Sequence, residues 1–203
     1  MMKKTILCAA VSMIAAQSAM ATDLQSMGVE VTPSASVSTD YLLRGQVLGG
    51  AAVMGDLKVE HETGVYGVAS VVSSDSVEQN YKIGVARDFG DYGVDVGYKG
   101  YTGRGMDTDR EEVSLDVTRG MASLNVVNVL DTDEDNLYVA GSVAFGSLTG
   151  TVGVQTADMG YSHLQVDYSA TDNLTFTASK AFDDGSGIDE GVKLVVGYSI
   201  PLM

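Results

Sequence analysis

Among 203 residues the chain has a single cysteine, Cys8, no tryptophan, and two prolines, Pro33 and Pro201. One cysteine cannot build an intramolecular disulfide framework or a cysteine-based zinc module. With both prolines toward the ends, the interior can run as strands without losing ladder donors. Lysine and arginine total 12 against 27 acidic residues, a formal charge of −15 that excludes nucleic acid as a partner. No uninterrupted apolar run reaches the roughly 20 residues a membrane-spanning helix requires.

What is present begins with a leader. Lys3 and Lys4 precede an apolar run from Ile6 to Ala16, and Ala19 and Ala21 then supply a small-x-small cleavage site. This predicts a secretory signal peptide over residues 1–21. Cys8 sits inside the apolar run as an ordinary leader residue. Loss of Lys3 and Lys4 moves the formal charge from −15 to −17. The remaining residues, 22–203, are expected to form one domain. An exported domain without disulfides needs another source of stability.

That source is period-two alternation. In "DYGVDVGYKGY" (91–101), Tyr92, Val94, Val96 and Tyr98 share one face, and Gly93, Asp95, Gly97 and Lys99 the other. Similar segments fall at about 34–43, 53–62, 65–73, 79–89, 111–119, 122–130, 136–145, 148–156, around Leu164 to Tyr168, 174–182 and 192–202. Strands of roughly 9 to 11 residues suit a tilted bilayer crossing, and soluble strands average about 5 to 6. Twelve is also an even count, as in single-chain bacterial outer-membrane barrels. The predicted fold is all-β: a closed antiparallel transmembrane β-barrel of about 12 strands in an up-and-down meander.

Connection lengths alternate as well. Short ones fall at 63–64, 90–91, 119–120, 146–147 and 171–173, and longer ones at 44–52, 74–78, 103–110, 131–135 and 183–191, with 157–160 a shorter member of the second set. With the N-terminus in the periplasm, every long connection lies outside the cell. Aromatics are expected as two interfacial girdles: Tyr41, Tyr81, Tyr101, Tyr138, Tyr161 and Phe182 near outside ends, and Tyr66, Phe89, Tyr92, Phe145, Tyr168 and Phe176 near periplasmic ends.

Parity then sorts side chains. Tyr41, Val94, Val96, Tyr98, Val113, Leu115, Val166, Leu194, Val196 and Tyr198 are expected to face lipid. Asp40, Arg44, Asp56, Lys58, Glu60, Lys82, Asp95, Lys99, Asp116, His163, Gln165, Asp167 and Lys193 are expected to line a lumen. Charges of both signs in a narrow lumen should interleave as ion pairs. If the lumen conducts, the acidic excess would favour cations.

Little points to catalysis. His61 shares parity with Leu57 and Val59, His163 shares it with Gln165 and Asp167, and no G-x-S-x-G motif occurs. No enzyme, catalytic residue or cofactor is expected. The acidic run "DTDEDN" (131–136) lacks the glycine and glutamate of an EF-hand loop, and "DDGSGIDEG" (183–191) occurs once, so no metal site is assigned.

The stretch "STDYLLRG" (Ser38 to Gly45), with "HETGVYGVASVVSS" and "DFGDYGVDVGYKGYTG", resembles the TorF family of porins in proteobacterial outer membranes. The resemblance implies a barrel with pore activity in the outer membrane of a Gram-negative bacterium, without naming a solute. It marks Asp40, Tyr41, Arg44 and Gly45 as signature positions of unassigned role. The implied partners are outer-membrane lipid, small solutes or ions, and the outer-membrane assembly machinery. The chain ends Ile200-Pro201-Leu202-Met203, without the terminal aromatic that this machinery reads in many barrels. Two functions follow: a porin-like channel for ions or small solutes, or a structural and surface-interaction barrel with acidic outer loops and no open pore.

Overall fold

The structure is a computed structural model that describes residues 24–103, 110–130, 136–156, 160–183 and 188–202. The leader, the acidic run at 131–135 and residues 184–187 lie outside the described residues. Fourteen strands occur in the described residues: β1 (Val29–Ser38), β2 (Tyr41–Leu43), β3 (Gln46–Gly49), β4 (Ala52–His61), β5 (Val65–Ser73), β6 (Val77–Phe89), β7 (Tyr92–Gly103), β8 (Arg110–Arg119), β9 (Ala122–Val129), β10 (Asn136–Phe145), β11 (Leu148–Gln155), β12 (Tyr161–Ser169), β13 (Leu174–Asp183) and β14 (Lys193–Ile200).

Twelve of them, β1 and β4 to β14, form one closed antiparallel barrel. Each wall strand pairs with its neighbours in sequence. The seam closes where Ala35 to Ser38 of β1 meet Ile200 to Gly197 of β14. Closure leaves no edge of unpaired N–H and C=O groups, which hydrocarbon could not satisfy.

Register sets the two surfaces. Val96 lies opposite Val85 and Leu115, and Val94 opposite Val117, so one parity builds a continuous apolar exterior. Val96 is 49% exposed, Leu194 73% and Phe145 78%. In water this band would forgo about 25 cal/mol for every Å² left uncovered. Hydrocarbon removes that penalty. The buried apolar clusters are small by comparison: Val127, Tyr138 and Ala140 form one, and Tyr41, Ala52 and Val72 another.

The structure corrects the first strand. Alternation predicts a wall strand over 34–43, but β1 ends at Ser38. The Thr39 amide still donates to the Val196 carbonyl, and its hydroxyl accepts from the Val196 amide, so the wall is pinned there. Ser38 then donates to the Asp40 carbonyl at 2.8 Å, and the chain bends off the wall. Of residues 44–52, expected as an outer loop, 44–49 belong instead to the β2–β3 hairpin, 50–51 connect it to the wall, and Ala52 begins β4.

Candidate functional site: a hairpin folded into the barrel mouth

The hairpin is built by its turn. Leu43 pairs with Gln46 across Arg44 and Gly45, whose φ values are +48° and +79°. Two consecutive positive φ values match the twist of a two-residue hairpin. Glycine takes this conformation without strain, but arginine does so at a cost on the order of 1 kcal/mol. The contacts Arg44 makes hold it there.

The tip seats on β10, β12 and β13. Tyr161 donates to the Arg44 carbonyl at 2.9 Å, and Ser179 donates to the Gly45 carbonyl at 3.3 Å. Gly45 lies against the His163 ring, where a Cβ would sit 2.5 Å from Cγ. His163 is 2% exposed; its Nε2 is hydrogen-bonded to the Tyr138 hydroxyl at 2.9 Å, and its Nδ1 has no partner among the described residues. The base of the hairpin is tied to the β5–β6 connection, where the Gly50 amide donates to Asp75.

Two tethers then run to the opposite wall. The Tyr41 hydroxyl donates to Glu78 on β6 at 3.0 Å. The Arg44 guanidinium passes over the Tyr138 ring at 4.9 Å and pairs with Glu112 on β8 at 2.8 Å. Glu112 is 3% exposed and also accepts from Arg110 at 2.5 Å and Tyr101 at 2.9 Å. A buried carboxylate so fully paired resists separation from its partners. Strand β7 stands between the two tethers, with Lys99 and Tyr101 on its inner face.

The expected lumen residues carry the following contacts. Asp56 accepts from Ser34, and Lys58 pairs with Glu60 at 2.5 Å. Lys82 pairs with Asp95 at 3.4 Å, and Tyr66 also donates to Asp95. Asp116 accepts from Asn125. Asp167 accepts from Gln165 and Thr177. Lys193 pairs with Asp189. Asp40 stands at the hairpin base beside a cavity of about 380 Å³ shared with Gln46, Asp189 and Lys193. Arg44 reaches the lumen from the hairpin turn, not from a wall strand.

Tyr41 requires a correction. Parity along a strand over 34–43 placed it toward lipid, but the bend after Ser38 turns it inward, where it is 8% exposed and packs with Ala52 and Val72. The girdle expectation needs a similar one. Tyr66, Tyr101 and Tyr138 are buried against interior carboxylates or His163, and Tyr161 reaches the hairpin backbone. Exposed aromatics do stand at the short-turn end, at Phe89, Tyr92, Phe145, Tyr168 and Phe176 as expected and at Tyr198, and Tyr81 and Phe182 stay exposed toward the other end. Sequence reasoning passed over Glu78, Arg110 and Glu112. Glu112 shares parity with Ser114 and Asp116, a signal that could have found it.

No family model matches the chain, and no curated protein does. Solved structures do. A chain from a study of the in-meso crystallization of membrane proteins is 8% identical, with 83% of each chain covered and a TM-score of 0.62. The KdgM porin in complex with disordered oligogalacturonate is 7% identical, covering 86% of this chain and all of that one, with a TM-score of 0.55. Outer membrane phospholipase A from Escherichia coli is 11% identical over 82% of this chain and 87% of that one, with a TM-score of 0.47. The first two likenesses are of fold. The edgeless wall, its apolar exterior and its polar interior are those of an outer-membrane β-barrel, and the chain is placed in the outer membrane of a Gram-negative bacterium.

Proposed function

We propose that the protein is an outer-membrane channel for ions or small solutes whose bore is set by the β2–β3 hairpin. The observation that supports this reading is the pair of tethers, Tyr41 to Glu78 and Arg44 to Glu112, which hold a hairpin across one mouth of the barrel. Twelve strands enclose more room than the eight-strand case that side chains fill. The hairpin then narrows that room further at one mouth. The fold shared with KdgM, a porin, is in keeping with conduction. The resemblance of "STDYLLRG" to TorF porins agrees too, because those residues form the start and turn of the hairpin.

A second reading is a structural barrel sealed by the same hairpin. The seating of its tip on β12 and β13 favours this alternative. Single-channel recording of the purified protein in planar bilayers separates the two. Discrete conductance steps are expected, and their absence at every voltage would leave the sealed barrel.

A further inference from the structure

Lys82 and Lys99 are directly opposed across β6 and β7, and both point inward. Like charges directly opposite each other repel. Lys82 has an acidic partner in Asp95, as Lys58 has in Glu60 and Lys193 in Asp189. Lys99 also has an acid opposite it on β8, namely Glu112. That acid, however, is occupied by Arg44 and Arg110. Among the described residues, no carboxylate lies within 4 Å of the Lys99 ammonium, which rests over the Tyr101 ring at 4.3 Å. Lys82 leans the other way along the barrel. Its stem crosses Gly97, which has no side chain to obstruct it, toward Asp95 and the Tyr66 ring.

The opposed lysines thus splay apart along the wall: Lys99 stays between the two hairpin tethers, and Lys82 turns toward Asp95. At the tethers, among the described residues, Arg44, Arg110 and Lys99 stand with Glu78 and Glu112, so cations are not outnumbered there as they are in the whole chain. Ring charge at a constriction sets ion preference, whatever the chain's total.

We infer that Lys99 and Lys82 form an oxyanion site on the β6–β7 wall beside the hairpin, taking a carboxylate or phosphate group. Lys99 receives the anion at the hairpin. Lys82 lies one step further along the barrel, over the Tyr66 ring beside Asp95. The inference rests on the channel reading for passage, and does not rest on it for binding.

Two measurements keep these apart. Calorimetric titration of the detergent-solubilised barrel with inorganic phosphate, and separately with acetate, reads binding. Reversal potential across a KCl gradient reads selectivity. The wild type is expected to bind at least one of the two anions and to prefer chloride. Lys99→Gln and Lys82→Gln are expected to lose binding and shift the reversal potential toward potassium, and Lys99→Arg to retain both properties. Lys180→Gln, on the outer face of β13 beside Phe182, should leave both unchanged. Tighter binding of phosphate or of acetate identifies the preferred group. Heat-modifiable gel migration verifies that each variant is a closed barrel. Binding without conductance would sink the channel and keep the site. Conductance with no anion binding, and with selectivity indifferent to Lys99 and Lys82, would overturn the site and keep the channel.

Discussion

The wall formed by β5 to β8 and the wall formed by β11 to β13 face each other across one lumen, yet they are built differently. The first projects long charged and aromatic side chains: Tyr66, Lys82, Lys99, Tyr101, Arg110 and Glu112. The second is small where the hairpin meets it, with Gly153, Ser179 and Ala181 around His163. The difference divides the labour. Small residues let a backbone approach closely, so the hairpin tip seats there. Long side chains reach back to tether it and leave their charges facing whatever lies between.

Substitutions on each wall should therefore break different things. The largest effect is expected from Gly153→Val. A Cβ at Gly153 would collide with His163 Nε2 and sit 2.8 Å from the Tyr138 hydroxyl, so the seat of the tip is displaced. Single-channel conductance should rise well above the wild-type value. Arg44→Ala comes next, because it cuts the Glu112 tether but leaves the seat. Conductance should rise by a smaller step, with noisier open states as the hairpin moves.

Outside the hairpin, the effects fall on stability. Val96→Arg places a charge in the apolar exterior and should cost about 2 to 4 kcal/mol if it sits near the bilayer midplane, measured by urea titration in lipid vesicles. Asp95→Asn, on the adjacent inward position, should cost far less, because Tyr66 can still donate to it. Equal tolerance at the two positions would contradict the assignment of faces. The smallest effect is expected from Tyr161→Phe, which removes one hydrogen bond to the hairpin backbone, a change of about 0.5 to 1.5 kcal/mol. It should show as a slight increase in the time spent at high conductance.

These contrasts also show what the sequence could and could not reveal. The wall was legible because lipid on one side and polar contacts on the other impose strict alternation on every strand. Strand β5 falls at Val65–Ser73, and β10 at Asn136–Phe145, where the pattern predicts them. The hairpin was not legible for the same reason. "STDYLLRG" alternates well enough to extend β1, and only the hydrogen bonds of Ser38 and Thr39 show where the chain leaves the wall. Tyrosine misled in a related way. Its ring suits a lipid interface and its hydroxyl suits a buried carboxylate, so Tyr66, Tyr101 and Tyr138 read as girdle residues until register turned them inward. Lys99 falls on the inward-facing parity of its strand, but Arg44 enters from a turn that parity did not foresee, and their shared neighbourhood was not legible. That depends on pairings between strands far apart in sequence.

On the proposed reading, the tethered β2–β3 hairpin sets the bore of the channel. The most direct test compares planar-bilayer conductance of the wild type with that of a variant in which residues 40–50 are replaced by a short glycine-serine link. The account predicts small steps for the wild type and several-fold larger ones for the variant, with heat-modifiable migration intact in both. Equal conductances from two closed barrels would contradict it.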